Sequence, residues 1–380
     1  MRPNEQNKPR VVVAMSGGVD SSVAAALLVE QGYDVVGLMM RLWSEPGIGP
    51  DAPANRCCTP DQMADARRVA NMLGIPFYVI DSQTVFRKKI VQFFIDEHEK
   101  GRTPNPCIEC NREIRFTYLL EYAMALDAQF LATGHYVQVM AENGRYHIRK
   151  GVDEKKDQSY VLHMLTQEKL GHVLFPIGGY TKPQVRELAA NFGLPVASKS
   201  ESQDLCFLGD GNYRRFLSDH GQKVDQPGPI ITMDGAVLGQ HKGLSSYTIG
   251  QRKGLGITTP EPVFVISKEA QTNTLRVGPR SVLGKQTVWV RDVNWVSGTV
   301  PNTAIDVEIK IRYKAKPILG SVEMREDGRA LAHFFEPAFG VTPGQGAVFY
   351  VDDECIGGGI IDDLSADEQL IPIEVAISVG

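Results

Sequence analysis

A glycine- and serine-rich segment near the N-terminus has the composition of an anion-binding loop. It runs Ser16-Gly17-Gly18-Val19-Asp20-Ser21-Ser22, after the β-branched run Val11 to Met15 and before a helix predicted over Ser21 to Gln31. A strand–loop–helix unit points unpaired backbone N–H groups and a positive helix end at an anion, and glycines allow a close approach to phosphate. The lysine of the G-x-x-x-x-G-K-[ST] loop is missing, and the spacing is not G-x-G-x-x-G. The segment predicts a phosphate site of another kind, the alternative being an ordinary glycine turn.

Three cysteines form a second group with chemical potential. Cys107 and Cys110 lie in a proline-stiffened stretch, Thr103 to Asn111, predicted as a loop before a helix, and Cys206 lies in a later loop. A helix N-terminus lowers the pKa of a thiol and favours the thiolate. Sulfur transfer, a metal or Fe–S site and inert buried thiols all fit these residues. A structural zinc site usually needs four N or S ligands, and a second C-x-x-C is absent. Cys57, Cys58 and Cys355 lack comparable surroundings and are predicted to be inert.

A basic stripe is predicted late in the chain. Lys310, Arg312, Lys314 and Lys316 alternate through a strand-like run, so their side chains would share one face. Such a stripe can follow the phosphates of a nucleic acid. A solvated edge strand protected by lysines is the alternative.

The elements that must position these residues alternate between strand and helix in the first half of the chain. A parallel, doubly wound α/β sheet is therefore predicted. The predicted strands are Val11 to Met15, Tyr33 to Met40, Phe77 to Ile80 and Phe130 to Thr133. The predicted helices are Ser21 to Gln31, Asp61 to Leu73, the amphipathic segment Thr84 to Lys100, Arg112 to Leu126 and Thr181 to Phe192.

After about Leu217 the helical pattern fades into short alternating β runs rich in Gly and Pro. Examples are Val263 to Ile266, Thr287 to Val290, Ala304 to Ile311 and Ala347 to Val351. We predict three domains: residues 1–215, a small central β domain over 216–285, and a C-terminal β-barrel over 286–380.

Composition excludes several broad classes. The 380 residues carry a formal net charge of -5, so any binding of nucleic acid must come from local basic patches. No run is long and apolar enough for a signal peptide or a membrane span. Six cysteines without an export signal indicate reduced thiols rather than a disulfide framework. We expect a cytoplasmic monomer.

The loop S-G-G-V-D-S-S resembles that of the PP-loop ATP pyrophosphatases, which cleave ATP between the α and β phosphates and adenylate a carbonyl oxygen. The resemblance implies ATP as substrate and Mg²⁺ as its companion ion. Asp20 would assist metal or phosphate positioning, although an acidic residue at a helix N-terminus is also a common electrostatic cap.

Loop and cysteines together resemble the tRNA-specific 2-thiouridylase family over essentially the whole chain. The motifs that carry the resemblance are A-M-S-G-G-V-D-S-S, Gly37 to Met40, N-P-x-x-x-C-N, Ala132 to Tyr136, Lys155 to Tyr160, Ser202 to Phe207 and Tyr247 to Arg252. The family implies a tRNA partner, expected to be the tRNAs for Lys, Glu and Gln, and a sulfur carrier or cysteine desulfurase that donates a persulfide.

Carried over position by position, the resemblance assigns a role to each matching residue. Cys110 becomes the nucleophile and Cys206 the persulfide carrier, the two forming a reversible disulfide. Many members of the family carry aspartate where this chain has Cys107, so an acid–base role of that aspartate has no counterpart here. ATP contacts are expected from Ala14, Met15, Ser16, Gly17, Gly18, Val19, Asp20, Ser21, Met40 and Gly134. The target base would face Asn105, Pro106 and Cys107, and tRNA would contact His135, Lys156, Asp157, Gln158, Arg312, Tyr313 and Gln345.

The resemblance implies that uridine O2 attacks the α-phosphate and pyrophosphate leaves. Sulfur carried as a persulfide on Cys206 then attacks C2, directly or after release by Cys110, and AMP leaves. Uridine would be held outside its stack in the anticodon loop. Two other routes stay open. Cys107, Cys110 and Cys206 could ligate an Fe–S cluster, or the chain could be a PP-loop enzyme for another base or a small metabolite. From a different class, an Fe–S protein could bind tRNA without turnover.

Overall fold

The computed structural model of the chain describes residues 8–45, 59–199, 205–221 and 226–362. Its strands are β1 (Arg10–Ala14), β2 (Asp34–Arg41), β3 (Phe77–Asp81), β4 (Phe130–Ala132), β5 (Val137–Glu142), β6 (Arg145–Lys150), β7 (Val173–Leu174), β8 (Gly228–Ile231), β9 (Val237–His241), β10 (Phe264–Glu269), β11 (Thr274–Gly278), β12 (Gly284–Trp295), β13 (Ile305–Lys310), β14 (Ile318–Met324), β15 (Ala330–Phe339), β16 (Gly346–Val351) and β17 (Glu354–Ile361).

Helices cover both faces of the first sheet. They are α1 (Val19–Glu30), α2 (Pro60–Leu73), α3 (Gln83–Phe86), α4 (Gln92–Glu99), α5 (Pro106–Glu109), α6 (Leu120–Met124), α7 (Gln167–Leu170), α8 (Lys182–Asn191) and α9 (Tyr213–His220). Two π-helical segments, Arg87–Val91 and Cys110–Leu119, join α3 to α4 and α5 to α6. Short 3-10 turns occupy Ser159–Val161, Leu244–Ser246 and Arg280–Leu283. None of the helices in the described ranges is of a length and apolarity that would cross a bilayer.

The first sheet is parallel throughout, in the order β3-β2-β1-β4-β7. Its central strand β1 is apolar because both faces are covered: Val11 and Val13 pack into one hydrophobic cluster and Val12 into another. Chain order runs outward from β1 in one direction through β2 and β3, and in the other through β4 and β7. The switch point between β1 and β4 is where such sheets bind ligands.

Two β units follow, as predicted. The central one is a four-stranded sheet in the order β10-β11-β8-β9, around a small core that includes Leu275 and Val277. The last is a closed barrel of six strands, since β12 pairs with both β15 and β17. The predicted fold class is therefore confirmed.

One hairpin of the first unit joins the barrel sheet. β6 pairs with β17, where Glu354 faces Arg149 and Cys355 faces Ile148, and β5 continues the sheet beyond it. The His147 Nδ1 atom lies 2.8 Å from a carboxylate oxygen of Glu354. This hairpin, residues 137–150, was not predicted from the sequence, and it fastens the barrel to the α/β unit.

The prediction that the basic stripe lies along one strand is wrong. β13 ends at Lys310, and residues 311–317 form a bend and turn before β14. The half-buried Lys310 lies within 6 Å of the rings of Tyr160 and Tyr313, whereas Lys314 and Lys316 are exposed in the turn. The four cations do not share one strand face because Pro317 and the turn interrupt the alternation that the spacing suggested.

Candidate nucleotide and sulfur-transfer site

The phosphate loop lies at the switch point of the parallel sheet. It connects β1 to α1, which starts at Val19, two residues before the predicted start, with Gly18 as its N-cap. Gly17 has φ +70°, and a Cβ there would lie 2.2 Å from the Gln62 carbonyl oxygen. Only glycine fits this turn because both the backbone angle and the neighbouring helix α2 exclude a side chain.

Serine hydroxyl groups form hydrogen bonds to the backbone within the loop. The Ser16 N–H donates to Ser21 Oγ at 3.2 Å, and Ser22 Oγ donates to the Gly18 carbonyl at 2.8 Å. Ser21 and Ser22 are buried. The loop is therefore held open with its backbone available to an anion at the N-terminus of a twelve-residue helix.

Predicted nucleotide contacts from other strands converge on the same place. Met40 lies near the end of β2 and packs against the cluster that contains Met15 and Val19. Gly134 comes two residues after the end of β4 and lies close to the start of α1. A Cβ on this residue would be 2.8 Å from the Ser21 nitrogen. Parallel strands bring their carboxyl ends to one edge, so β1, β2 and β4 together form one crevice.

Side chains that the sequence did not predict also reach the loop. Asp20 in the first turn of α1 accepts hydrogen bonds from Tyr136 Oη at 2.7 Å and from Lys182 Nζ at 2.8 and 2.9 Å. Lys199 Nζ donates to the Gly17 carbonyl at 2.9 Å and to Asp65 Oδ2 at 2.8 Å. These residues are far from the loop in sequence; Tyr136 belongs to the motif Ala132 to Tyr136, but no pattern marked Lys182 or Lys199.

The cysteine pair lies in a helical segment rather than in a loop before it. Asn105 caps α5, its side-chain oxygen accepting from the Cys107 and Ile108 N–H groups at 3.1 and 3.4 Å. Cys110 begins the π-helical segment, and Phe116 within it has non-helical φ and ψ of -103° and 15°. π-helical turns of this kind often occur at functional sites.

The environment of Cys107 opposes the predicted thiolate. Its side chain is exposed, but the protein around the cleft shields it from bulk water and raises the pKa of its thiol, while the positive charge of Arg115 acts in the opposite direction. Cys107 is therefore a thiol at neutral pH.

The two cysteines expected to handle sulfur lie in one core. Cys110 is buried in the hydrophobic cluster that also holds Met15 and Val19, and the half-buried Cys206 packs against the same cluster. Residues 202–204 of the Cys206 motif, as well as Cys57 and Cys58, lie outside the described residues. Cys355 is buried in the barrel junction, and burial raises the pKa of its thiol well above the usual range.

An Fe–S site does not fit these side chains. Across the described ranges, which include Cys107, Cys110 and Cys206, no group of three His, Cys, Asp or Glu residues is close enough to hold a metal ion. A cluster needs its thiolates gathered around one centre. This donor set therefore gives the cluster alternative no support.

The residues expected to contact tRNA fall into two groups. His135 is buried beside Phe116 and Phe175, its Nδ1 lies 2.7 Å from Thr133 Oγ1, and burial lowers its pKa to about 3. Asp157 is also buried, and its carboxylate accepts from the Gly151 and Ser159 N–H groups. Lys156 and Gln158 beside it are half-buried.

The second group lines a cavity between all three units. Arg312, Gln345, Thr103, Thr248 and Thr342 enclose about 200 Å³. Arg312 Nη2 donates to Thr342 Oγ1 at 2.6 Å, and Gln345 Nε2 donates to the Thr103 carbonyl at 2.7 Å. Gln345 thereby ties the barrel to the segment that leads into Asn105 and Cys107.

Tyr313, next to Arg312 in the sequence, packs against Tyr160, with the two ring centroids 5.9 Å apart. Burial raises the pKa of Tyr313 to about 12. Thr248 and Thr342 were not predicted as site residues; Thr248 belongs to the motif Tyr247 to Arg252, which was the available signal.

A parallel sheet with a glycine–serine loop at its switch point, and thiols packed in or against the same hydrophobic core, is typical of a nucleotide-binding enzyme of the PP-loop class. Family models agree along the chain: the tRNA methyl transferase HUP domain matches residues 9–210, the tRNA methyl transferase PRC-barrel domain 214–279, and the aminomethyltransferase beta-barrel domain 285–361. The chain belongs to the tRNA-specific 2-thiouridylase family, and the resemblance identified from the motifs is confirmed.

Individual relatives match nearly end to end. The chain is 45% identical over 358 residues to the tRNA-specific 2-thiouridylase MnmA of Heliobacterium modesticaldum, covering 93% of this chain and 92% of that protein. It is 47% identical over 353 residues to that of Herpetosiphon aurantiacus, covering 93% and 98%. The solved U34-tRNA thiolase NcsA from Methanococcus maripaludis with its [4Fe-4S] cluster is more distant, at 21% identity and a TM-score of 0.34 over 58% of this chain and 67% of that one.

Proposed function

We propose that the protein is an ATP-dependent sulfurtransferase that replaces the 2-oxygen of the wobble uridine in tRNA with sulfur. The observation that carries the proposal is that Met15 and Val19 of the family's loop motif share one hydrophobic cluster with Cys110, and that Cys206 packs against this cluster. The nucleotide must reach the oxygen and the sulfur the carbon of the same carbonyl group, so their sites have to be neighbours. The names of the relatives support the same reaction.

Adenylation comes first. The backbone N–H groups of Gly17 and Gly18 and the N-terminus of α1 bind the phosphates of ATP, while Gly134 lets the chain after β4 approach the start of α1 closely. Uridine O2 forms a bond to the α-phosphorus, and the bond to the bridging oxygen breaks, so pyrophosphate leaves with the electron pair.

Magnesium would be held by substrate phosphates rather than directly by the Asp20 carboxylate, because Lys182 Nζ donates to both Asp20 oxygens and Tyr136 Oη to one of them. Asp20, which the resemblance implied for metal or phosphate positioning, therefore does not fit as a direct ligand of the ion. When bound, the ion would neutralise phosphate charge. The adenosine side of the site is expected along Met40 and Ala14, at the ends of β2 and β1.

Sulfur transfer follows. A sulfur carrier or cysteine desulfurase supplies a persulfide on Cys206, and the Cys110 thiolate attacks the Cys206 sulfur. A Cys110–Cys206 disulfide forms and hydrosulfide is released, which attacks C2 of the base. AMP leaves, and an external dithiol reduces the disulfide by two electrons.

RNA contacts are proposed on both sides of the crevice. Asn105, Pro106 and Cys107 would face the extruded base. Arg312, Tyr313 and Gln345 would hold the neighbouring nucleotides at the cavity between the three units, and His135 with Lys156 to Gln158 would contact the opposite side. The tRNAs for Lys, Glu and Gln are the proposed substrates.

The test is nucleoside mass spectrometry of tRNA from cells that lack the gene, complemented with wild type or with Asp20→Ala. Loss of 2-thiouridine that only the wild-type gene restores supports the proposal. In vitro, Asp20→Ala should release no AMP with tRNA yet bind tRNA as wild type does. Unchanged 2-thiouridine in the deletion strain would refute the proposed activity.

A further inference from the structure

One nearly buried lysine points at the phosphate loop from a distant part of the chain. Lys182 is the first residue of α8, and its side chain is only 10% exposed. Its ammonium lies 2.8 and 2.9 Å from the two carboxylate oxygens of Asp20, 162 residues earlier in sequence. The nucleotide contacts expected from the family motifs do not include it.

The surroundings hold this ammonium in one position. Tyr136 Oη donates to the same carboxylate at 2.7 Å, and its ring centroid lies 5.8 Å from Lys182 Nζ. The Lys182 backbone N–H donates to Asp153 Oδ2 at 2.9 Å, which fixes the start of α8. The cation is therefore placed beside the first turn of α1, where the loop backbone offers its N–H groups.

A buried ion pair of this kind is weak evidence for a role in stability. Desolvation of the two charges offsets most of their attraction, and apolar residues often serve a core as well. The phosphate loop also lacks the lysine that many nucleoside triphosphatases carry in the loop itself. A lysine from another element can fill that need, because an ammonium binds phosphate as a point charge from any direction.

We propose that Lys182 is the phosphate-binding cation of the nucleotide site. Asp20 and Tyr136 hold its ammonium beside the loop before ATP binds, and the ammonium then contacts the β- and γ-phosphates. As the bond between the α-phosphorus and the bridging oxygen breaks, Lys182 stabilises the negative charge that stays on pyrophosphate and transfers no proton. This inference rests on the proposed function, since it names the group that receives the leaving pyrophosphate.

Lys199 provides a matched control. Its ammonium also reaches the loop, but it donates to the Gly17 carbonyl and pairs with Asp65. A carbonyl marks the side of the loop that faces away from an anion, so Lys199 supports the loop conformation. Its loss should affect all nucleotide ligands alike, whereas loss of Lys182 should affect pyrophosphate selectively.

The test is calorimetric titration of the full chain with magnesium pyrophosphate and, separately, with AMP. We expect Lys182→Gln to weaken pyrophosphate binding by about 10- to 100-fold while AMP affinity stays within about twofold of wild type. Lys182→Arg should recover part of the loss because it keeps the charge. Lys199→Gln should change both affinities by the same factor. In single-turnover reactions with ATP and tRNA, Lys182→Gln should slow pyrophosphate release by about 100-fold.

Each other outcome is decisive. Equal pyrophosphate affinity in wild type and Lys182→Gln, or a wild type that binds AMP but not pyrophosphate, would overturn the assignment of Lys182 alone. A Lys182→Gln variant that loses both ligands equally would assign the residue a structural role instead. A wild type that binds neither ligand would overturn the nucleotide site and the proposed function with it.

Discussion

The three cysteines near the crevice differ in environment, and this difference separates their expected roles. Cys110 is buried, Cys206 is half-buried, and Cys107 is exposed with the pKa of its thiol raised. A thiol with a raised pKa is a poor nucleophile at neutral pH. Cys107 is therefore better suited to facing the base than to carrying sulfur.

Serine variants should separate the carrier and its partner from the third thiol. We expect Cys107→Ser to retain substantial thiolation, while Cys110→Ser and Cys206→Ser each lose about 1000-fold or more because the persulfide or its acceptor is gone. Single-turnover thiolation of tRNA measures this, with pyrophosphate release, which precedes sulfur transfer, as the control that all three variants keep. Iron and acid-labile sulfide in anaerobically purified protein, lost together with activity in Cys107→Ser, would instead favour a cluster.

At the scale of elements, the end of β4 has to pass very close to the start of α1. A Cβ on Gly134 would lie 2.8 Å from both the Asp20 carbonyl carbon and the Ser21 nitrogen. Those atoms are backbone and cannot rotate away. A methyl group must therefore push the strand end and the phosphate loop apart.

We predict that Gly134→Ala lowers ATP affinity at least about tenfold and destabilises the fold by about 1–3 kcal/mol. Gly179→Ala is the matched control, because nothing lies within 4 Å of its Cβ position. Nucleotide titration and urea unfolding of both variants provide the comparison. Wild-type affinity in Gly134→Ala would show that the loop tolerates displacement.

The turn between β13 and β14 replaces the predicted basic strand but keeps two exposed cations, Lys314 and Lys316. If they contact phosphates, the double alanine variant should weaken tRNA binding and flatten its salt dependence by about one to two counterions. Lys285 and Arg325, also on the barrel strands or their turns, make a control pair with the same change in charge. Filter binding across salt concentrations measures this dependence. If the salt dependence of tRNA affinity is the same for both double variants, Lys314 and Lys316 are solvated side chains that do not contact phosphates.

At the scale of the whole molecule, a network of ion pairs around the buried Glu97 ties the α/β unit to the barrel. Glu97 on α4 pairs with Lys100, Arg102 and Arg291, and Asp362 also pairs with both arginines. Burial acts to raise the pKa of Glu97, but its hydrogen bond from Lys100 and the charge of Arg102 outweigh burial and lower it. The barrel is thus linked to the α/β unit here and at the hairpin of β5 and β6.

Buried histidines make stability depend on pH. Burial lowers the pKa of His98 and of His163 to about 4, and that of His135 to about 3. A lowered folded-state pKa means that the unfolded chain binds more protons between about pH 4 and its own pKa near 6.5. Stability from these groups is fully present above about pH 6.5 and is lost as pH falls towards 4.

We predict that the free energy of unfolding falls as pH drops from 6.5 to 4.5, each histidine contributing on the order of 3 kcal/mol over its full range. His98→Phe should reduce the slope of the free energy of unfolding against pH by up to one proton. Urea unfolding at several pH values measures the slope. Carboxylates such as Glu45, whose pKa is lowered mainly by Arg215 against the effect of burial, contribute only below about pH 4.5. A flat profile from pH 7 to 5 would contradict the prediction.

The parts that the sequence determined are local. β1, the loop from Ser16 to Ser22 and α1 are adjacent in the chain, so hydrophobic run, glycines and helix pattern suffice to predict the phosphate loop. The alternation of predicted strands and helices, followed by short β runs, likewise predicted the fold class. Each element can be recognised locally, because its apolar residues recur with the period of a helix or of a strand. The motifs that contain Cys110 and Cys206, together with the phosphate loop, also allowed the family to be predicted from the sequence.

What the tertiary structure alone decided is which distant residues meet. Tyr136 and Lys182 lie 116 and 162 residues from Asp20, yet both bind its carboxylate. The hairpin that joins the barrel, the cavity around Arg312 and the turn that ends the basic strand depend in the same way on packing. Such contacts leave no periodic trace, because strand order and helix docking are set by burial over the whole chain rather than by local propensity.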